Sequence, residues 1–329
     1  MAQWKVYVSD YDYDDLDIEE SVLEPIGARV IGLHDPTGEQ LATLAADADV
    51  LMCRYARVTR ETIEAMSRCR AICRYGIGVD SVDVQAVYDN GMVLTNIPDF
   101  CTDEVAENTI AMAFSLLRQL PRYDRAVHAG SWRWQDAEVP VMRFRELTFG
   151  LLGFGRIAQN VARKIAAFGF RIVACDPLVP EATMISHGVE KLEQDELFER
   201  ADLVAVLCPY TSETHHVIDE RALRRMKRTA SLVNCARGKL VDTAALATAL
   251  DEGWIAGAGL DDLEEEPSKH PEWTPAHTPL LASPNCIVTP HSAYYSERSM
   301  ELNRRMTAEN ARAVLIGERP INVVRPPAR

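Results

Sequence analysis

Short apolar runs recur through the first hundred residues: Val6-Tyr7-Val8, Val30-Ile31-Gly32, Val50-Leu51-Met52, Ala71-Ile72-Cys73 and Met92-Val93-Leu94. Between them lie helix-like stretches. Runs of this kind, without polar alternation, mark strands buried on both faces, and their alternation with helices predicts a parallel sheet. After a break at Ile97-Pro98-Asp99, Thr102 is placed to cap a helix, Asp103 and Glu104 fill its first turn, and an apolar stripe runs through Leu120. That pattern predicts one long helix crossing between domains. Trp132 to Arg145 reads as a loop. A second series, Leu147 to Leu152, Leu203 to Leu207, Ser231 to Cys235, Ile255 to Leu260 and Cys286 to Thr289, predicts a second doubly wound sheet, followed by a final helix over about Ser296 to Ile316. The expected fold class is α/β, with two doubly wound parallel-sheet, Rossmann-like domains and an active-site cleft between them at the carboxyl ends of strands.

The most informative stretch lies within the second series. Leu147 to Leu152 delivers the chain to Gly153, which permits a tight turn; Gly155 lets backbone approach a pyrophosphate, and Ala158 lets helix and strand pack closely. A helix over about Arg156 to Phe168 then points free N–H groups and its positive dipole end at an anion. Asp176 closes the next strand, where its carboxylate can accept hydrogen bonds from ribose hydroxyls and would repel a 2′-phosphate. Pro177-Leu178 add no cation. The expected cofactor is therefore NAD in preference to NADP.

Composition narrows the rest. A chain of 329 residues accommodates two domains, and a formal net charge of −14 with a pI near 5.1 argues against nucleic acid as the main partner. No run approaches a membrane span and no signal-peptide blocks are evident, so a cytoplasmic location with no membrane partner is expected. The eight cysteines lie in apolar segments without CxxC pairing and read as reduced core residues. No metal is expected either: His215 and His216 are adjacent, which would put them on different faces of a helix or strand.

Three later strand ends carry polar groups: Asn234-Cys235-Ala236-Arg237-Gly238, Gly259-Leu260-Asp261 with Glu264-Glu265-Glu266-Pro267, and Thr289-Pro290-His291-Ser292. An arginine holds a carboxylate with two parallel hydrogen bonds, and Arg237 follows an apolar strand, an unusual place for a surface charge. His291 has the chemistry to take a hydroxyl proton as hydride leaves, and a carboxylate behind it would fix the ring. Spacing does not say which of the three glutamates does so. In the first sheet, Arg74-Tyr75-Gly76-Ile77-Gly78 is a glycine-rich loop able to present N–H groups to an anion. Arg54 and Arg74, both near strand ends, are candidates to meet a second acidic group on a substrate.

Taken together these segments resemble the D-isomer-specific 2-hydroxyacid dehydrogenase family, over essentially the whole chain. The resemblance implies catalytic roles for Arg237, Glu266 and His291, with Glu266 tuning His291. It implies cofactor contacts at Gly153, Phe154, Gly155, Arg156, Ile157, Asp176, Cys208, Pro209, Thr214, Cys235, Ala236, Asp261 and His291, with Asp261 on the nicotinamide amide. It implies substrate binding by Arg54, Arg74, Tyr75, Gly76, Ile77, Gly78 and Arg237. It further implies a substrate-binding domain from residues 1–99 and 296–329, an NAD-binding domain from 100–295, a small anionic 2-keto or 2-hydroxy acid as substrate, and a homodimer. Cys208 departs from the histidine common in the family before this proline. Tyr294-Tyr295 after Pro290-His291 looks most like the corepressor branch and its bacterial relatives, and places Tyr294 near the substrate or in the core. An NADH-sensing interaction module of the corepressor kind, and reduction of a phosphorus or sulfur oxyacid, are the alternative functions.

Overall fold

The computed structural model describes residues 4–34, 38–267, 270 and 272–325. The chain divides into two compact units, Met1–Cys101 with Tyr295–Arg329, and Thr102–Tyr294. The first holds a parallel sheet of five strands: β1 (Trp4–Val8), β2 (Ala28–Gly32), β3 (Val50–Cys53), β4 (Ala71–Arg74) and β5 (Val93–Thr95). Their order is β2-β1-β3-β4-β5, the flavodoxin-like arrangement with its switch point between β1 and β3.

Because side chains alternate across a strand, each strand feeds two cores. Val6, Val8, Val50, Met52, Ala71 and Cys73 face Leu23, Ala308, Ala311 and Leu315. Tyr7, Leu51, Cys53, Ile72 and Leu94 face Leu41, Ile63 and Val87. The helix Glu297–Ile316 thus completes the first unit from the far end of the chain. Ser296 caps it, accepting from the Ser299 N–H, and Gly317 ends it at φ 78°.

The second unit is a seven-stranded parallel sheet of β6 (Thr148–Leu152), β7 (Arg171–Cys175), β8 (Glu190–Lys191), β9 (Leu203–Val206), β10 (Ser231–Asn234), β11 (Gly257–Leu260) and β12 (Cys286–Val288). The order β12-β11-β10-β9-β6-β7-β8 is that of a dinucleotide-binding sheet, with strand order reversing between β6 and β9. The two-residue β8 was not expected from the sequence, being too short and too polar to register as an apolar run.

Two sequence expectations need correction. The helix from Thr102 does not run through Leu120; it ends at Leu117, Gln119 turns left-handed at φ 55°, and a new helix spans Leu120–His128 with Pro121 in its first turn. Proline cannot donate the N–H that a continuous helix needs, and its ring clashes with the preceding turn. His215 and His216 do not point apart: they lie in a turn, with His216 at φ 50°, and their rings stack at 3.9 Å. The alternation expected of a regular element does not apply there.

Candidate active site

The turn after β6 shows why glycine stands at 153. Its φ is 93°, and a Cβ would fall 2.7 Å from the Cys208 backbone nitrogen, so both conformation and packing exclude a side chain. Strands β6 and β9 come together at this switch point. Gly155 differs: no protein atom lies within 4 Å of where its Cβ would stand. The fold does not demand glycine there, whereas a phosphate lying against the backbone would. Gly155 caps the helix Arg156–Ile165, whose opening N–H groups face that space, and buried Ala158, Val161, Ala162 and Ile165 fix the helix to the sheet. Three further residues expected in this helix, Ala166–Phe168, form a 3-10 turn ended by Gly169.

Asp176 follows β7 and accepts from two backbone donors, Phe154 N–H at 2.8 Å and Leu178 N–H at 2.9 Å. Its carboxylate is thereby held at the mouth of the glycine turn, with lone pairs left for sugar hydroxyls. Cys208 and Pro209 follow β9, and burial pushes the Cys208 thiol up to about 11. The Thr214 hydroxyl donates to Pro209 O at 2.8 Å and accepts from Thr211 N–H at 2.7 Å, tying that loop into a compact turn. The residues present fit a dinucleotide.

The three polar strand ends come from neighbouring strands β10, β11 and β12. After β10, the Asn234 side chain accepts from Ala236 N–H and donates to Arg237 O, fixing the turn that carries Cys235, Ala236 and Arg237. After β12, His291 adopts φ 52°, a left-handed conformation that a histidine keeps only when its surroundings enforce it. Asp261 supplies that enforcement. Its backbone carbonyl accepts from His291 N–H at 2.6 Å, and its carboxylate accepts from Thr289 Oγ1, Ser292 N–H and Ala293 N–H at 2.5, 2.9 and 2.8 Å. Burial pushes this carboxyl above the usual range, opposed by those donors and by His291.

A carboxylate near the ring comes from a residue that the sequence reading did not single out. Asp262 Oδ1 lies 3.6 Å from His291 Nδ1, while Asp262 Oδ2 is 3.4 Å from the Gly238 nitrogen. Glu266, the expected partner, is at φ 47° and pairs with Lys239 at 2.6 Å. Glu264 binds His216 at 2.5 Å and Thr243 N–H at 3.0 Å. The signal that would have found Asp262 is an acid inside the apolar run Gly259-Leu260-Asp261-Asp262-Leu263. The Tyr294 ring stands edge-on to His291 with centroids 6.0 Å apart.

In the first unit, the switch point between β1 and β3 is stitched by Asp10, whose carboxylate accepts the N–H groups of Arg54, Tyr55 and Ala56. The buried Arg54 guanidinium pairs with Asp12 and stands 5.4 and 4.9 Å from the ring centroids of Tyr13 and Tyr55. Arg74 donates to Tyr75 O, folding back over Gly76, and Tyr75 is buried with its hydroxyl on Glu19 at 3.1 Å. Ile77 O accepts from the Asn96 amide at 2.6 Å, which anchors the loop toward Gly78. All eight cysteines are free thiols. Among the described residues, no group of acidic, histidine and cysteine side chains is arranged to hold a metal.

A glycine turn with an acid at its mouth at one switch point, and arginine, carboxylates and histidine on the next strand ends, define an NAD-dependent oxidoreductase of the two-sheet α/β class. Residues 110–293 match the model of the D-isomer specific 2-hydroxyacid dehydrogenase NAD binding domain. The chain is 39% identical over 269 residues to the glyoxylate reductase of Korarchaeum cryptofilum, covering 81% of this chain and 79% of the reductase. It is 36% identical over 330 residues to the D-3-phosphoglycerate dehydrogenase of Methanocaldococcus jannaschii, covering 98% of this chain but 60% of that enzyme. Among solved structures, the D-lactate dehydrogenase of Aquifex aeolicus complexed with NAD and lactic acid superposes with a TM-score of 0.86 at 29% identity, over 98% of this chain and all of that one. The chain belongs to the D-isomer-specific 2-hydroxyacid dehydrogenase family.

Proposed function

We infer that the chain exchanges a hydride between NAD(H) and the hydroxyl-bearing carbon of a small D-2-hydroxy acid, in either direction with the corresponding 2-keto acid. The observation that carries this reading is His291, held in a left-handed conformation with Asp262 against its ring at 3.6 Å. Bound at the Gly153–Arg156 turn, NAD(H) supplies or accepts the hydride. His291 gives a proton to the developing alkoxide in reduction, or takes it in oxidation. Arg237 binds the substrate carboxylate in a two-point grip and polarises the carbonyl. Glu266 supports His291. Arg54 and the loop Arg74–Gly78 contribute cationic side chains and N–H groups toward the anionic substrate.

The structure changes the weight given to a dianionic substrate. Arg54 is already paired with Asp12 and Arg74 is turned onto its own loop, so a monoanionic acid is the better fit. A homodimer belongs to the same reading: Leu120, Val127, Trp132, Trp134 and Met142, all in one stretch of the second unit, expose large apolar side chains. Among the described residues, no helix is long and apolar enough to cross a membrane. The test is NADH oxidation by the purified protein with glyoxylate, pyruvate, hydroxypyruvate, 2-ketoglutarate, phosphohydroxypyruvate and branched-chain keto acids. The reading expects robust turnover on a monoanionic member. Silence across the panel with NADH still bound would favour an interaction module.

A further inference from the structure

We propose that Asp262 is a positioning residue for His291, one buried carboxylate that holds both the imidazole and the Arg237 turn; the proposal rests on the reading of His291 as the proton carrier. Asp262 stands where the chain is otherwise apolar, between Asp261 and Leu263, and its side chain is 8% exposed. A carboxylate buried to that degree requires a cation and hydrogen-bond donors around it. The cations available to it are His291 and Arg237, and its backbone donors are Gly238 N–H at 3.4 Å and Leu263 N–H at 3.1 Å.

The packing of the two segments leaves Asp262 little freedom. A Cβ on Gly238 would fall 2.1 Å from the Leu263 carbonyl carbon and 2.4 Å from Glu264 N, so residues 237–238 and 262–264 press together backbone to backbone. The carboxylate spans this contact, with one oxygen toward Gly238 and the other toward His291 Nδ1. At 3.6 Å the ring contact is an ion-pair separation, longer than a hydrogen bond. Catalytic hydrogen bonds commonly tighten only when substrate is present. With Nδ1 facing Asp262, Nε2 and its proton are what would meet the substrate oxygen when His291 is the proton carrier. In reduction the imidazolium releases that proton to the alkoxide and becomes neutral, while Asp262 stays ionised throughout and undergoes no covalent change.

The neighbouring acids have other attachments. Asp261 holds Thr289, Ser292 and Ala293, Glu264 holds His216 and Thr243, and one of the contacts of Glu266 is Lys239. Asp262 is the acid with a carboxylate oxygen at His291 Nδ1, and its role adds to that of Glu266. Among the charged groups around His291 are Asp261 and Asp262 from the β11 end, and Arg237 from the β10 end acts with His291 on Asp262.

The experiment compares full-length wild type with Asp262→Asn, an isosteric change that removes the charge. Three readouts are taken: the pH profile of kcat for keto-acid reduction, KM for NADH, and the side-chain imidazole nitrogen spectrum of His291, assigned by its loss in His291→Gln. The expected result is an alkaline limb of reduction moved down by about one pH unit, the low end of what an adjacent opposite charge contributes. The KM for NADH should be unchanged, and the form protonated on Nδ1 should no longer predominate in the spectrum. An unchanged pH profile and spectrum would overturn the proposal, as would an equal loss at every pH with an unchanged spectrum, the signature of a merely structural residue. The spectrum needs no turnover, so it decides the proposal even where the keto-acid panel is silent and the functional reading itself fails. Should Asp262→Asn not fold, the carboxyl titration of Asp262 carries the test: it should rise in His291→Gln relative to wild type, and no change would refute the pairing.

Discussion

Asp261 and Asp262 are neighbours in sequence with opposite electrostatic fates. Burial acts to raise both carboxyls; it prevails at Asp261, whereas contact with His291, the charge of Arg237 and the Gly238 N–H hold Asp262 below the usual carboxylate range. A lowered carboxyl favours the fold above its unfolded value and loses that contribution as pH falls through the folded one. The Asp262 contribution should therefore be present above its ordinary value of 3.8 and be lost in more acid solution. Asp261 runs the other way, its contribution present at low pH and lost as pH rises through its raised value. Urea unfolding from about pH 5 to about pH 3 should show Asp262→Asn losing less stability over that range than wild type. Parallel losses would show that Asp262 is not the acid-labile group. At the glycine turn, Asp176→Ala removes both the carboxylate expected to meet the ribose and the acceptor for Phe154 and Leu178 N–H. The KM for NADH should rise roughly tenfold while activity with NADPH rises relative to it, the loss of one charge-assisted hydrogen bond being worth about 1.5 kcal/mol or more.

At the scale of elements, the close approach of β6 and β9 rests on Gly153. Gly153→Ala adds a Cβ at positive φ against the Cys208 backbone and should destabilise the second unit by about 1–3 kcal/mol, with a larger fractional loss of NADH affinity. Denaturant midpoints and NADH titration measure the two effects separately. Most strands of both sheets were legible because buried parallel strands are continuous apolar runs, as at Val50–Cys53 and Leu203–Val206. The glycine turn was legible because its residues are few and their order is dictated by phosphate. The break at Gln119 was not, since an apolar stripe continues across it while one proline stops the hydrogen-bond ladder. Nor was the role of Asp262, or the stacking of His215 on His216, because a loop's path decides which side chains meet and no periodicity encodes that path. The Asp12 partner of Arg54 was hidden for the same reason, lying 42 residues away.

For the whole molecule, exposed apolar surface and activity are separate expectations. Replacing Trp132 and Trp134, which are 87% and 77% exposed, with serine should convert a dimer to a monomer in light scattering. A wild-type protein that is monomeric at every concentration would refute the dimer. If His291 carries the proton in an NADH-dependent reduction of a 2-keto acid, single-turnover NADH oxidation by His291→Asn at saturating cofactor and keto acid reads that step alone. The rate should fall about 100- to 10,000-fold below wild type, with NADH affinity unchanged. A rate within a few-fold of wild type would contradict it.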